Sequence, residues 1–331
     1  MSVLDVCALI RRRLMPRRFL LTAVFLGISD FTLAMKNEFL PSPGIYEPSG
    51  VVQLADGRLL VAEDEAGHAL RLVSLEPGGG GLSGAGPLAL DAPLVLDDLE
   101  GVSLDPRGFV YAITSHARTE RGHKRIAQRE QLVRFRLERN AIIEMRALDD
   151  LRTHIAALNP LLQKSVGKKA AKQGLGLNIE GLAVSASGEQ LLLGLRSPTR
   201  AGRAIVLTLR NLQRAFAGES PNMVENTLDL DGAGIRSLSY VPRLQGYLIV
   251  TRREDKKKRP FRLWFWDGAA ASRALRVSVD GIDDLRRTEA IAPIAWAGAE
   301  GLILLSDEGN AKKNRPGRYL LLRYEQLVIE R

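Results

Sequence analysis

Glu100, Glu180 and Glu289 each stand just before a small residue, Gly101, Gly181 and Ala290, at the head of an apolar run; Ser49 and Arg236 hold the same place before Gly50 and Ser237. Acids that recur at one position of a repeat can be gathered around one axis. Three such carboxylates supply the oxygen ligands that a hard cation such as Ca²⁺ prefers, and a cation held that way can polarise a phosphoryl oxygen. Candidate ligand-binding groups surround them: Asp98 and Asn178 two residues upstream of Glu100 and Glu180, Arg236 itself, and Asp64, Arg196, Arg252 and Asp307 about one hairpin downstream. Guanidinium groups match carboxylate and phosphate geometry, so the expected partner is an anionic small molecule or an anionic envelope polymer. The same residues also support a plainer arrangement, in which Glu100, Glu180 and Glu289 accept from backbone amides or pair with Arg196, Arg236 and Arg252 and pin neighbouring elements together.

Familiar nucleophile patterns are absent: there is no Gly-x-Ser-x-Gly and no His-Glu-x-x-His, and the one cysteine, Cys7, lies close to the N-terminus. Lys168 follows Gly167, but Leu162 and Lys169 occupy the places where a phosphate loop needs Gly and Ser or Thr. His116 and His123 remain as acid-base or metal candidates, and the catalytic candidates are therefore Glu100, Glu180, Glu289 and His116. Aromatic residues make up 5% of the chain and form no stacking motif, which argues against nucleic acid as a partner despite the basic charge.

The elements that must position these groups follow a repeat. Five times an apolar strand, a glycine turn and a second apolar strand recur: from Pro48 with Gly57, from Leu99 with Gly108, from Ile179 with Gly188, from Ile235 with Gly246, and from Glu289 with Gly301. Each is a hairpin signal. A third strand follows at residues 69–75, 131–137, 204–209, 261–266 and 319–324, and a fourth at residues such as 141–148 and 273–279. Four strands per unit, at intervals of about 50 to 60 residues with one longer, predict an all-β propeller of five blades; a sixth would have to use the N-terminal segment. The Trp264-Phe265-Trp266 run reads as packing between blades. The long interval holds a helical insertion at residues 149–175, with apolar spacing at Leu151, Ile155, Leu158 and Leu162 broken by Pro160.

Strands alternate direction within a blade, so the entry to the first strand and the exit from the second lie on one face of the ring. Ser49, Asp98, Glu100, Asn178, Glu180, Arg236 and Glu289 are expected at the channel mouth on that face. The second-strand exits ring it with mostly basic groups, Lys256 to Lys258 and Arg259 among them.

The motifs Asp98-Leu99-Glu100-Gly101, Asn178-Ile179-Glu180-Gly181, Gly194-Leu195-Arg196-Ser197-Pro198, Gly234-Ile235-Arg236-Ser237 and Arg262-Leu263-Trp264-Phe265-Trp266-Asp267-Gly268 together resemble the bacterial domain-of-unknown-function family 3616, from about Glu47 to Tyr324. More distantly the Glu-Gly hairpins are similar to the propeller family labelled esterase-like activity of phytase. The resemblance implies a bacterial propeller. Two functions stay open: a binding propeller for an anionic ligand at the channel mouth, and a metal-dependent, Ca²⁺-using phosphoesterase or esterase-like hydrolase.

Arg11, Arg12, Arg13, Arg17 and Arg18 precede an apolar run of about ten residues that ends near Thr32 and Ala34, the layout of a signal peptide over residues 1–34, with Met15 as an alternative start. A first strand at residues 24–34 is the competing reading of that run, with a cytoplasmic location. The export reading makes residues 35–331 one propeller domain, periplasmic or secreted and without cysteine. Removing five arginines and two aspartates then lowers the formal charge from +9 to +6.

Overall fold

The structure is a computed structural model that describes residues 38–64, 69–77, 81–88, 95–118, 124–167, 175–253 and 260–330. The leader segment, His68, Arg121, His123, Lys168, Lys169, Lys172 and the run from Lys256 to Arg259 lie outside the described residues.

Among the described residues 21 strands form five antiparallel sheets. In chain order, β1 (Leu40–Ser42) precedes blade I, which is β2 (Pro48–Gln53), β3 (Leu59–Glu63), β4 (Leu70–Leu75) and β5 (Leu82–Pro87). Blade II is β6 (Leu99–Leu104), β7 (Val110–Thr114), β8 (Leu132–Glu138) and β9 (Ala141–Ala147); blade III is β10 (Asn178–Val184), β11 (Leu191–Ser197), β12 (Ala204–Leu209) and β13 (Met223–Leu228). Blade IV holds β14 (Gly234–Val241), β15 (Gly246–Arg252), β16 (Arg262–Trp266) and β17 (Leu275–Val279), with β21 (Leu327–Ile329) paired outside β17. Blade V is β18 (Thr288–Trp296), β19 (Ala299–Ser306) and β20 (Gly317–Arg323), and β1 pairs antiparallel with β20 as its fourth strand.

The first strands β2, β6, β10, β14 and β18 touch in a closed cycle, so the ring has five blades. The strand that precedes the first blade, Leu40–Ser42, completes the fifth. Ring closure thus joins the two ends of the propeller in one sheet, through pairs such as Leu40 with Tyr319.

Packing explains why so many strands are continuously apolar. Every residue of β3, β7, β10 and β12 is buried, because each blade is covered on both faces by its neighbours. Five hydrophobic clusters result, one between each adjacent pair of blades; Tyr111, Phe135, Trp266 and Tyr319 are among their largest members. The glycine turns hold at Gly57, Gly108 and Gly188, all with positive φ. The last two hairpins differ from expectation: Gln245 (φ 51°) turns the fourth and Ala297 and Gly298 (φ 49° and 76°) the fifth. Gly246 and Gly301 lie within strands, where the Phe265 ring and the Trp296 ring fill the space a side chain would need.

The insertion is a pair of short helices, α1 (Leu151–Ala157) and α2 (Pro160–Val166), which bury Leu151, Ile155 and Leu162 against blades II and III. Pro160 starts α2 at its first helical position, where no amide hydrogen is needed, and the Asn159 side chain caps it by accepting from the amides of Leu161 and Leu162 at 3.1 Å. Arg152 ties α1 to the ring, donating to the His116 carbonyl at 2.8 Å and pairing with Glu130 at 2.9 Å. Among the described residues no helix is long and apolar enough to cross a membrane.

Neighbouring first strands approach closely around the ring. A Cβ at Gly181 would stand 2.9 Å from Ile235 Cγ2 and 3.0 Å from Leu238 Cβ on the next first strand. Gly181→Ala is therefore expected to cost about 1 to 3 kcal/mol, read as a lower urea midpoint at unchanged slope; a midpoint equal to that of the wild type would show that the strands can move apart.

Candidate functional site

All five first strands carry a β-bulge at the same place. The ladders skip from Pro48 to Gly50, Leu99 to Gly101, Ile179 to Gly181, Ile235 to Ser237 and Thr288 to Ala290, while the partner strand advances by one residue. The unpaired residues are Ser49, Glu100, Glu180, Arg236 and Glu289. A bulge releases a residue from the pleat and re-aims its side chain, and here five such side chains line one cavity of about 330 Å³ at the channel mouth. The small residue that follows each bulge lets the neighbouring first strand close in.

Three of these five side chains form an ion-pair chain across blades III, IV and V. Arg236 places Nη1 3.2 Å from Glu180 Oε2 and 3.2 Å from Glu289 Oε1. Glu180 Oε1 is held further by Arg196 at 2.6 Å and by the Asn178 amide at 3.1 Å. Burial pushes the Glu289 carboxyl up, against the pull of Arg236 and with the Glu180 charge adding to the rise. Next to it Asp307 pairs with Arg287 at 2.5 Å, yet burial first and the Glu289 charge second raise it to about 7.

The other side of the cavity is built differently. One oxygen each from Asp64, Asp98 and Glu100 lies within 4.8 Å of the others. Asp98, in the left-handed region at φ 61°, accepts from the Ser115 hydroxyl and from Arg129 Nη1 at 3.1 Å. Asp64, exposed at the rim but with its carboxyl turned partly out of water, is raised above the usual carboxylate range by that partial burial and then by the Asp98 charge. Glu100 is buried and pushed well above the usual carboxylate range by burial, with Glu180, Asp98 and Asp64 adding to it.

Of the residues singled out in the sequence, the cavity lining brings together Asp64, Glu100, Glu180, Arg196, Arg236, Arg252, Glu289 and Asp307. The proposed metal trio of Glu100, Glu180 and Glu289 does not assemble as such: Arg236 sits between the last two, and Glu100 joins Asp64 and Asp98 instead. Asn178 supports Glu180 from beside the channel. His116 is not part of the lining; it is buried, with Nδ1 2.9 Å from the Thr114 carbonyl oxygen, and burial lowers it to about 4. The sequence reading missed Glu47 and Arg287, which also line the cavity. Their position was available, since both sit two residues before a bulge as Asp98 and Asn178 do. Arg129 gave no such signal; it comes from a single 3-10 turn, Ala127–Arg129, inside a long loop.

Two outcomes follow from this geometry. Arg236→Met takes its arginine from Glu289 and leaves Glu180 to Arg196 and Asn178, and is expected to cost about 3 kcal/mol, with part regained in Arg236→Met/Glu289→Gln; a cost below about 1 kcal/mol in urea unfolding would remove the pinning role. Asp307 is raised from 3.8 to about 7, so its protonated form stabilises the fold: that contribution is complete below about pH 4 and is lost as pH rises through about 7. Melting temperatures of wild type and Asp307→Asn should diverge in favour of the variant between those values and run parallel above them.

Among solved structures the chain is similar to the holo form of the PQQ domain of pyranose dehydrogenase from Coprinopsis cinerea, at 11% identity and a TM-score of 0.46 over 87% of this chain and 96% of that one. It is similar also to the PQQ-bound aldose sugar dehydrogenase from Streptomyces coelicolor (16%, 0.43, 90% and 100%) and to the β-propeller domain of Cps50 from Myceliophteria thermophila (10%, 0.39, 87% and 99%). No curated protein matches the sequence. Residues 138–315, more than half of the chain, match the family described as protein of unknown function (DUF3616), and to that family the chain belongs.

Proposed function

We propose that the protein binds an anionic small molecule in the axial cavity. The observation that carries this reading is the division of one cavity into two halves. Blades III to V and their loops contribute Arg196, Arg236, Arg252, Arg253 and Arg287 against three carboxylates, Glu180, Glu289 and Asp307. Among the described residues, blades I and II contribute acids and no lining arginine. A guanidinium has five donors in a planar fork, so an arginine that holds one carboxylate keeps donors for a second anion. The volume suits a small molecule, and among the described residues no aromatic side chain lines the cavity to stack a nucleobase. The raised carboxyls Glu289 and Asp307 reinforce the selection, because when protonated they leave the arginine half more positive.

Export belongs to the same reading, supported by the basic and then apolar layout of residues 11–34. An envelope location would place the cavity among small anions and anionic polymers of the periplasm.

The test is calorimetry with inorganic phosphate and pyrophosphate in a chelating buffer, using protein recovered from the periplasm of a bacterial host. Saturable binding is expected, weakened about tenfold or more by Arg252→Gln/Arg253→Gln and falling with salt. Absence of heat at about 10 mM of either anion, or equal affinity in the double variant, would sink the proposal. The recovered chain is expected to begin near residue 35; a retained Met1 would overturn export.

A further inference from the structure

We infer that Asp64, Asp98 and Glu100 hold one divalent cation, Ca²⁺ by the chemistry of its ligands, beside the arginine half of the cavity. The three oxygens lie within 4.8 Å of one another. Two ligands of one Ca²⁺, each at about 2.4 Å, can be no further apart than about twice that distance, so the spacing fits a shared ion. All the donors are carboxylate oxygens, which favours a hard cation over zinc or copper.

A second observation points the same way. Glu100 is 9% exposed and lines the cavity, and among the described residues no cation or hydrogen-bond donor reaches its carboxylate. Buried carboxylates are ordinarily paired, and several acids near the axis are: Glu180 and Glu289 with Arg236, Asp307 with Arg287, Glu63 with Arg71. Glu100 alone of the bulge-position acids lacks such a partner among the described residues, and it is the one that meets two further carboxylates. Arg129 and the Ser115 hydroxyl both take Asp98 Oδ2, which orients that carboxylate and leaves Oδ1 for the ion. When ionised, the three carboxylates carry −3, which Arg129, shared with Asp97, offsets only in part, so the trio keeps the negative charge that a divalent cation neutralises. Asp64, exposed at the rim, gives the ion a way in.

Three carboxylates leave a Ca²⁺ short of the six to eight oxygens it takes. Water and an oxygen of the anion in the arginine half would complete the set, so the ligand is an anion that chelates a divalent metal. This last step rests on the anion-binding reading; the cation site does not.

The test uses the full chain, stripped with chelator and titrated with CaCl₂ alone. One ion per chain is expected, with a raised melting temperature. Glu100→Gln and Asp64→Asn should each weaken binding about tenfold or more while the metal-free melting temperature holds or rises, since each replaces one of three crowded carboxyls by an amide of the same shape. Asp64 is the safer variant because it is exposed. Neither heat nor a melting shift at millimolar Ca²⁺, or unchanged Ca²⁺ affinity in both variants, would overturn the inference. Phosphate titrated in chelator reads the arginine half by itself. Phosphate binding without any Ca²⁺ response removes the cation and keeps the anion reading; Ca²⁺ binding without a phosphate response does the reverse.

Discussion

A first strand of this ring cannot be a regular strand along its whole length. It must pack its apolar side chains against two neighbouring blades, and at one end it must also turn a side chain toward the axis, where the five strands converge. The extra residue of a β-bulge meets both demands, since it leaves the ladder in register on either side and frees one side chain from the pleat. All five first strands use it at the same place. The next residue then faces the neighbouring first strand at close range, which is why Gly, Gly, Gly, Ser and Ala follow the five bulges. The acid-glycine step that recurs in the sequence is therefore a backbone device before it is a chemical one.

What the freed side chains do depends on the cost of bringing charge to the axis. A carboxylate withdrawn from water must find a cation or donors, or take up a proton. Blades III to V meet that demand internally, with Arg236 shared between Glu180 and Glu289 and with Arg196 and Asn178 completing Glu180. Blades I and II do not. Ser49 satisfies itself on the Leu99 carbonyl, so the neighbour of Glu100 in the ring brings no charge, and the nearest second-strand exit adds Asp64. The raised carboxyls of Asp64 and Glu100 are the physical mark of that imbalance.

The architecture was open to reading because its signals are local: strand pairs with a turn between them, a period near 55 residues, and apolar runs that only two-sided burial explains. Closure was not, because the pairing of Leu40 with Tyr319 spans nearly the whole propeller and three residues of strand carry no pattern of their own. Convergence of Glu100, Glu180, Arg236 and Glu289 followed from the repeat, which fixes where a position lies around an axis. Which acid pairs with which arginine did not follow, since that is decided by side-chain reach across blades. Arg236, on a first strand, lies between two acids, whereas Arg252, equally basic in the sequence, lies over the Phe261 ring. Asp98 gained its role from a left-handed backbone and from Arg129, and neither shows in the spacing of charges.

One position of the repeat thus serves two ends. In blades III, IV and V it supplies a neutralised chain of charges that joins three sheets, and substitution there acts on the fold. In blade II the same position supplies a carboxylate that the fold does not neutralise. Keeping Glu100 buried is unfavourable to the metal-free protein, and a propeller whose only need was closure would be better served by an apolar residue or by another arginine pair. The unfavourable energy at Glu100 is instead the kind that a ligand can relieve. Binding is strengthened by whatever strain the free protein carries and the complex loses. The pairing pattern around the axis therefore separates the part of the cavity whose charges are paired across blades from the part around Glu100, where among the described residues they are not.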